Sequence, residues 1–169
     1  MKTYRLFLLL IIFTPPVFSA DIDNLFSAAI LGKTERIKSL LADGIDVNGK
    51  TTTGRTAMMA ASFNGNIRVA RILLSYGANV NLTDKLGSTA LMDAVIFGRL
   101  ELVNLLITAG ADVNAVDKQN ISVIEKAQKT QHKTIIKTIE DIIAKEQETT
   151  AEESSEETKE DEKNNKNTE

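Results

Sequence analysis

The feature that most constrains this chain is a set of residues that recurs at intervals of 33 positions. Glycines, asparagines, alanines and larger apolar residues all keep this step. The recurring positions are Gly32, Gly65 and Gly98; Gly44, Gly77 and Gly110; Gly54 and Gly87; Asn48, Asn81 and Asn114; Leu25, Met58, Leu91 and Ile124; Ala28, Ala61, Ala94 and Ala127; and Leu40, Leu73, Leu106 and Ile139. A fixed period of this length indicates stacked copies of one supersecondary unit, each burying its apolar face against its neighbours.

Each copy carries the signals of two helices. Residues with a side-chain oxygen, which favours the start of a helix, occupy one recurring position. They are Asp23, Thr56, Thr89 and Ser122. The glycines at positions 32, 65 and 98 are predicted to end the first helix in the left-handed conformation, which costs glycine least. Apolar residues then recur at helical spacing, from Ile67 to Leu74 and from Leu100 to Ile107, up to Gly77 and Gly110. After these glycines the chain is predicted to turn into extended hairpins.

The repeated segments resemble a known family. Segments 53–61 (TGRTAMMAA) and 86–94 (LGSTALMDA), with GANVN at 77–81 and GADVN at 110–114, are similar to the ankyrin repeat. The resemblance extends over about residues 21–144. It implies an all-α repeat solenoid, built from stacked helix-turn-helix units with short β-hairpin or turn fingers.

Two full repeats, at about 51–83 and 84–116, are expected between two partial capping repeats, at about 21–50 and 117–144. The chain departs from the family's T-P-L-H opening. The proline position holds alanine, and the histidine position holds Met59 and Met92, so the hydrogen bonds that this histidine usually makes between repeats are absent.

The two ends of the chain do not continue the repeat. Residues 1–20 combine two basic residues among the first five, an apolar run at 6–13, two prolines and small residues at Ser19 and Ala20. This pattern predicts a secretory signal peptide, with cleavage after either of the last two. The alternative is an uncleaved membrane anchor, but about 13 apolar residues interrupted by prolines are too few to cross the bilayer. We therefore expect export, to the periplasm or out of the cell.

Residues 145–169 form an acidic tail. They include ten acidic and four basic residues and therefore carry a net charge of −6, against −3 for the whole chain. Since the segment has almost no apolar residues to bury, it is predicted to be disordered. The other residues carry +3, of which two charges belong to the predicted signal peptide. The repeat region is therefore nearly neutral, which argues against binding of nucleic acid.

No constellation for catalysis can be assembled from the sequence. There is no cysteine, and the single histidine, His132, lies in a polar segment that predicts a solvated side chain. The glycines form no phosphate-binding loop, and Asp84, Asp112 and Asp117 lack the spacing of a calcium loop. We expect no enzyme activity, no cofactor and no metal site.

The resemblance implies that a partner lies along a concave surface made by finger tips and first-helix faces. On this sequence the positions that match form an apolar row near the ends of the first helices and a basic border at the fingers. The predicted partner-binding residues are Ile30, Leu31, Arg55, Phe63, Asn64, Lys85, Leu86, Ile96, Phe97 and Lys118. Exposed apolar patches with polar rims commonly mark interaction sites. The alternative is that one residue of each apolar pair packs between repeats.

The predicted function is that of an exported, non-catalytic module that binds a protein partner, as a monomer. Alternatives are a secreted effector that acts on a protein of another cell, and a protective or assembly factor for a periplasmic enzyme. Asp93 either contacts the groove or bonds the nearby backbone. The acidic tail either keeps the protein solvated or lies across the basic border and masks the groove.

Overall fold

A computed structural model of the chain describes residues 19–166, which form eight helices and no β-strand. The helices are α1 (Ser19–Ile30), α2 (Thr34–Ala42), α3 (Ala57–Asn64), α4 (Ile67–Ser75), α5 (Ala90–Ile96), α6 (Leu100–Thr108), α7 (Val123–Lys129) and α8 (Lys133–Lys166). They follow one another as four pairs. The predicted signal peptide, residues 1–20, lies outside the described residues except for its last two, which begin α1.

Side-chain caps explain where three of the first helices begin. The hydroxyls of Thr56 and Thr89 accept hydrogen bonds from backbone nitrogens three residues ahead, at 3.3 Å in both cases. Ser122 does the same for Glu125, whose carboxylate accepts a hydrogen bond from the Ser122 nitrogen in return. This reciprocal arrangement is a capping box. The prediction for Asp23 is wrong, because α1 begins at Ser19 and Asp23 lies inside it.

The helix pairs stack in two layers. In one layer α1 packs against α3, α3 against α5, and α5 against α7; in the other, α2, α4, α6 and α8 follow in the same order. The recurring apolar positions meet between the layers. The positions represented by Ala61 and Leu73 are buried in all four pairs. The small alanine side chains allow the helices to approach closely, and the large leucine and isoleucine side chains fill the space between them. This repeated packing confirms the predicted repeat solenoid.

The loops that precede α3, α5 and α7 form short fingers at 51–55, 84–88 and 117–121. Each finger is closed by its own backbone hydrogen bond, as from the Asp84 nitrogen to the Ser88 oxygen at 3.0 Å. The fingers also bond to one another, through Lys85 N to Thr53 O (3.1 Å) and Lys118 N to Leu86 O (2.9 Å). They are therefore stacked turns, in which Val116 and Ser122 form an isolated antiparallel bridge, rather than the extended hairpins that the sequence predicts.

The last helix departs from the predicted disordered tail. Helix α8 starts in the fourth pair, where Ile135 and Ile139 are buried, and continues to Lys166. Residues 145–166 contain no proline or glycine and are rich in strong helix formers such as Glu, Lys and Gln. Because the packed half of α8 already supplies the helix nucleus, propagation needs no new nucleation step. No helix within residues 19–166 is long and apolar enough to cross a membrane.

Candidate partner-binding groove

The apolar row predicted from the sequence lies at the ends of the first helices. Leu31 is 63% exposed, and Phe63, Ile96 and Phe97 each leave more than a third of their surface in contact with solvent. Ile30 is half-buried and packs against the core. We call the surface formed by this row and the fingers the candidate groove. Four of its five predicted apolar residues are thus exposed, while Ile30 fits the alternative of packing between repeats.

Two aromatic rings form the centre of the row. Phe63 on α3 and Phe97 just after α5 come from neighbouring repeats, and their ring centroids lie 4.3 Å apart at an interplanar angle of 59°. Tilted pairs at this distance are favourable beyond the area that they bury. The two rings are separated by 34 residues rather than 33, so they occupy adjacent rather than equivalent positions of their repeats. They are therefore partly packed on one another and partly available to a partner.

Arg55 links the first full finger to this aromatic pair. Its guanidinium lies 6.0 Å from the centroid of the Phe63 ring, within the range of a cation–π interaction. The same guanidinium forms an ion pair with the carboxylate of Asp93 on α5. Arg55 thus holds a finger of one repeat against the first helix of the next, and only about a quarter of its side chain, 26%, remains exposed.

Asp93 takes a role that differs from both alternatives considered for it. Its carboxylate pairs with a side chain of the neighbouring repeat, Arg55, and lies almost fully buried beneath the groove surface. Burial raises the pKa of Asp93 to about 6, while the positive charge of Arg55 opposes that shift. The desolvation of the carboxylate therefore outweighs the attraction of its partner.

Asn64, predicted as a partner contact, is partly used within the protein. Its side-chain nitrogen donates to the Ile30 oxygen at 2.6 Å, and Asn66 donates to the same oxygen at 2.7 Å. These bonds tie the junction of α3 and α4 to the end of α1, whose last carbonyls need partners. Asn64 is exposed but its amide already has an acceptor, so it is a weaker candidate than the apolar row.

Asn66 is one of three equivalent residues that each lie across a glycine of the preceding repeat; we call them the clamping residues. The sequence alone did not indicate this role. At the same position in the next repeats stand Arg99, whose Nε donates to the Phe63 oxygen at 3.4 Å, and His132. Each side chain lies across the glycine that ends the preceding first helix. His132 is exposed, yet its ring lies so close to Gly98 that a Cβ there would come within 2.6 Å of it. The 33-residue spacing of these three positions could have identified them, but their residue types differ from repeat to repeat.

The finger tips supply the basic border. Lys85 and Lys118 are exposed, and Leu86 beside them is 71% exposed. The neighbouring Asp117 instead turns inward and accepts a hydrogen bond from Lys126 on α7 at 2.6 Å. That bond, first among several, holds the pKa of Asp117 below its usual value. The border therefore presents lysines outwards, while the acidic group is turned towards α7.

The arrangement offers apolar and aromatic contact beside cationic groups. Within the part of the chain that the structure describes, no three His, Cys, Asp or Glu side chains are grouped so that they could hold a metal ion.

Comparison with known proteins agrees with this architecture. The family of ankyrin repeats, in three copies, matches residues 25–117, which is more than half of the chain. No curated protein matches it. Ankyrin repeats generally mediate protein–protein interaction, and the family is typically non-catalytic. The chain therefore belongs to the ankyrin-repeat family.

Proposed function

We propose that this protein is an exported, non-catalytic module that binds a protein partner through the candidate groove. The observation that carries the proposal is the exposed pair of Phe63 and Phe97 at the centre of the apolar row. Aromatic residues near the middle of an interface contribute disproportionately to its binding free energy. Exposed apolar residues that are grouped together and rimmed by polar ones commonly mark interaction sites.

The rigidity of the surface also favours binding. Arg55 ties the aromatic pair to the finger above it, and Arg99 ties the end of α3 to the following repeat. Groups that are already held in place lose little conformational entropy when a partner docks. The groove is thus prepared for binding before the partner arrives.

The proposed export rests on the signal-peptide pattern of residues 1–20. Fractionation of cells into cytoplasm, periplasm and medium, with N-terminal sequencing of the mature protein, tests it. Protein found in the periplasm supports a resident binding module, and protein in the medium favours the secreted effector. Full-length protein in the cytoplasm would contradict export.

Replacement of both aromatic residues, Phe63→Ala with Phe97→Ala, tests the groove. A partner is first identified by crosslinking and pull-down, and its affinity for the purified protein is then measured by titration calorimetry. The double variant should bind more weakly by about 2 kcal/mol or more, because both anchors are lost. Thermal unfolding of the free protein verifies that the variant still folds.

Tyr76→Ala is the matched control, because Tyr76 is an aromatic residue that is 47% exposed at the end of α4, outside the groove. It should bind the partner like the unmodified protein. A partner that binds the double variant with undiminished affinity would refute the proposed site.

A further inference from the structure

We propose that the groove selects an acidic partner segment, one that carries carboxylates along one edge and apolar side chains along the other. This inference rests on the proposed function and assigns the chemistry of the partner. It follows from which charged groups of the groove are engaged within the protein and which are left available.

The acidic groups of the groove are engaged within the protein. Asp84 accepts hydrogen bonds from the backbone nitrogens of Leu86 (2.8 Å) and Ser88 (2.9 Å) of its own finger. Asp93 is paired with Arg55. These carboxylates hold the fingers and helices together, so they offer little to a cation on a partner.

Asp117 completes this set. Its Oδ1 accepts hydrogen bonds from the backbone nitrogens of Gln119 (2.9 Å) and Ile121 (3.0 Å), and its Oδ2 accepts one from the Lys126 ammonium group. The side chains of Asp117 and Lys126 are only 8% and 14% exposed. The opposite charges of Asp117 and Lys126 therefore neutralise each other beneath the surface.

The basic groups at the finger tips have no such partners. Lys85 and Lys118 are exposed, and among residues 19–166 neither ammonium group forms a hydrogen bond or an ion pair. With the acids engaged and these lysines available, the finger side of the groove carries an excess of positive charge towards solvent. An acidic segment complements that charge, which favours its encounter and orientation.

The stacking of the repeats sets the spacing of the two lysines. They occupy equivalent positions in adjacent fingers, which are joined by the bond from Lys118 N to Leu86 O at 2.9 Å. Neighbouring packed helices lie about 8–10 Å apart. A chain in the polyproline II conformation covers about 9 Å in one turn of three residues, so every third side chain lies on the same edge. We therefore expect partner carboxylates about three positions apart.

The apolar edge comes from the opposite ends of the first helices. Helix α3 has eight residues and so separates its finger from Phe63 by about 12 Å. Between these edges Arg55 stands over Phe63 with its charge met by Asp93. A segment lying across both edges places its carboxylates at the fingers and its apolar side chains on the aromatic pair.

The acidic tail of this chain fits the basic edge but not the apolar one. Residues 145–166 continue α8 as a helix, and the segment 145–169 holds no apolar side chain larger than alanine. It cannot supply anchors for Phe63 and Phe97. The structure therefore favours a separate protein partner over the tail.

Fluorescence anisotropy with labelled 12-residue peptides tests the proposal on the full chain. The probe peptide carries Glu at every third position and Leu or Phe between; one variant peptide has Lys for Glu, and another has Ser for Leu and Phe. The probe should bind more tightly than either variant. Charge reversal at Lys85→Glu with Lys118→Glu should weaken the probe by about tenfold or more, because like charges then face each other.

Lys137→Glu with Lys145→Glu, two exposed residues of α8 beyond its first turn, is the matched control for net charge. It should change binding less than about twofold, as distant surface charges are screened by salt. If both charge variants weaken the probe equally, or the Lys peptide binds as well as the probe, the acidic-partner proposal fails. In that case Phe63→Ala with Phe97→Ala still reports on the groove itself. If that variant also binds every peptide unchanged, the proposed function fails with it.

Discussion

The interior of the stack and the candidate groove are built from different positions of the same 33-residue unit. In the interior the residue type hardly changes from one repeat to the next: the position of Ala61 is alanine in all four, and that of Leu73 is leucine or isoleucine. In the groove the residue type differs between repeats. The position of Phe63 is Ile30, Ile96 or Lys129 in the other copies, and that of Asp93 is serine, alanine or lysine.

The difference separates what holds the repeats together from what a partner meets. Every interior position faces the same neighbour in the next repeat, so one well-packed solution serves all of them. A groove position either faces solvent in part, as Phe63 does, or makes a contact particular to its own repeat, as Asp93 does with Arg55, so its residue type can differ between repeats. Constant positions should therefore dominate stability, and variable positions should dominate binding and pH response.

The largest effect is expected at a finger glycine that the two full repeats share, Gly54 and Gly87. Gly87 has a φ of 79°, and a Cβ there would lie 2.8 Å from the backbone nitrogen of Lys118 in the next finger. Gly87→Ala should lower the free energy of unfolding by about 3 kcal/mol or more, since backbone strain adds to the overlap. Urea denaturation followed by circular dichroism measures it.

Gly110→Ala separates the two causes. Gly110 has a similar φ of 85°, but a Cβ there would meet nothing within 4 Å. It should cost only about 1 kcal/mol, from the conformation alone. Equal losses at the two glycines would mean that contact between fingers does not govern stability.

A variable position should instead alter the response to pH. Because the pKa of Asp93 is about 6 in the folded protein and 3.8 is the ordinary value, the folded state holds this proton more tightly than the unfolded state. The contribution to stability is fully present below about pH 4 and is lost as pH rises through 6. Relative to Asp93→Asn, the unmodified protein should lose about 2 kcal/mol between pH 4 and pH 7.

Denaturant unfolding of both proteins at several pH values checks this difference. The other carboxylates cancel in the comparison because both proteins contain them. Asp117 and Glu125 have lowered pKa values, the latter through hydrogen bonds from Ser122, so their own contributions are lost as pH falls. A difference that stays constant with pH would contradict the burial of an ionisable Asp93.

The smallest effect concerns a helix cap. The Thr89 hydroxyl accepts the Met92 nitrogen at the start of α5, so Thr89→Ala should lower the free energy of unfolding by about 1 kcal/mol. Thr52, an exposed residue of the first full finger, serves as control, and Thr52→Ala should change stability by less than about 0.5 kcal/mol. Thermal unfolding compares the two. A cap variant as stable as the control would show that packing alone starts α5.

Local chemistry explains which parts of the fold the sequence predicted well. Thr56 and Thr89 cap helices, and Gly65 ends one, because those functions depend on a residue and its immediate neighbours. Asp23 has the same type of side chain, but helix α1 begins before it. The acidic tail was predicted from its composition to be disordered, whereas residues 145–166 continue α8, a packed helix to which they are directly attached.

The candidate groove could be predicted only in part from the sequence. The 33-residue period placed Leu31, Phe63, Ile96 and Phe97 in one row, and the structure leaves them exposed. It could not indicate that Arg55 pairs with Asp93, 38 residues away, because that contact crosses from a finger to the next repeat's helix. The clamps at Asn66, Arg99 and His132 were hidden because their types differ.

The repeat period, the caps and the glycines were sufficient to establish a solenoid of helix pairs, since each depends on interactions that recur within or between adjacent units. Contacts between unlike residues were decided only when the units stacked. The ring contact of Phe63 with Phe97, the burial of Asp93 and the availability of Lys85 and Lys118 all depend on which side chains neighbouring repeats bring together. The 33-residue period predicts which positions come close together. It does not predict which side chains occupy those positions in each repeat, so these contacts were decided by the tertiary structure.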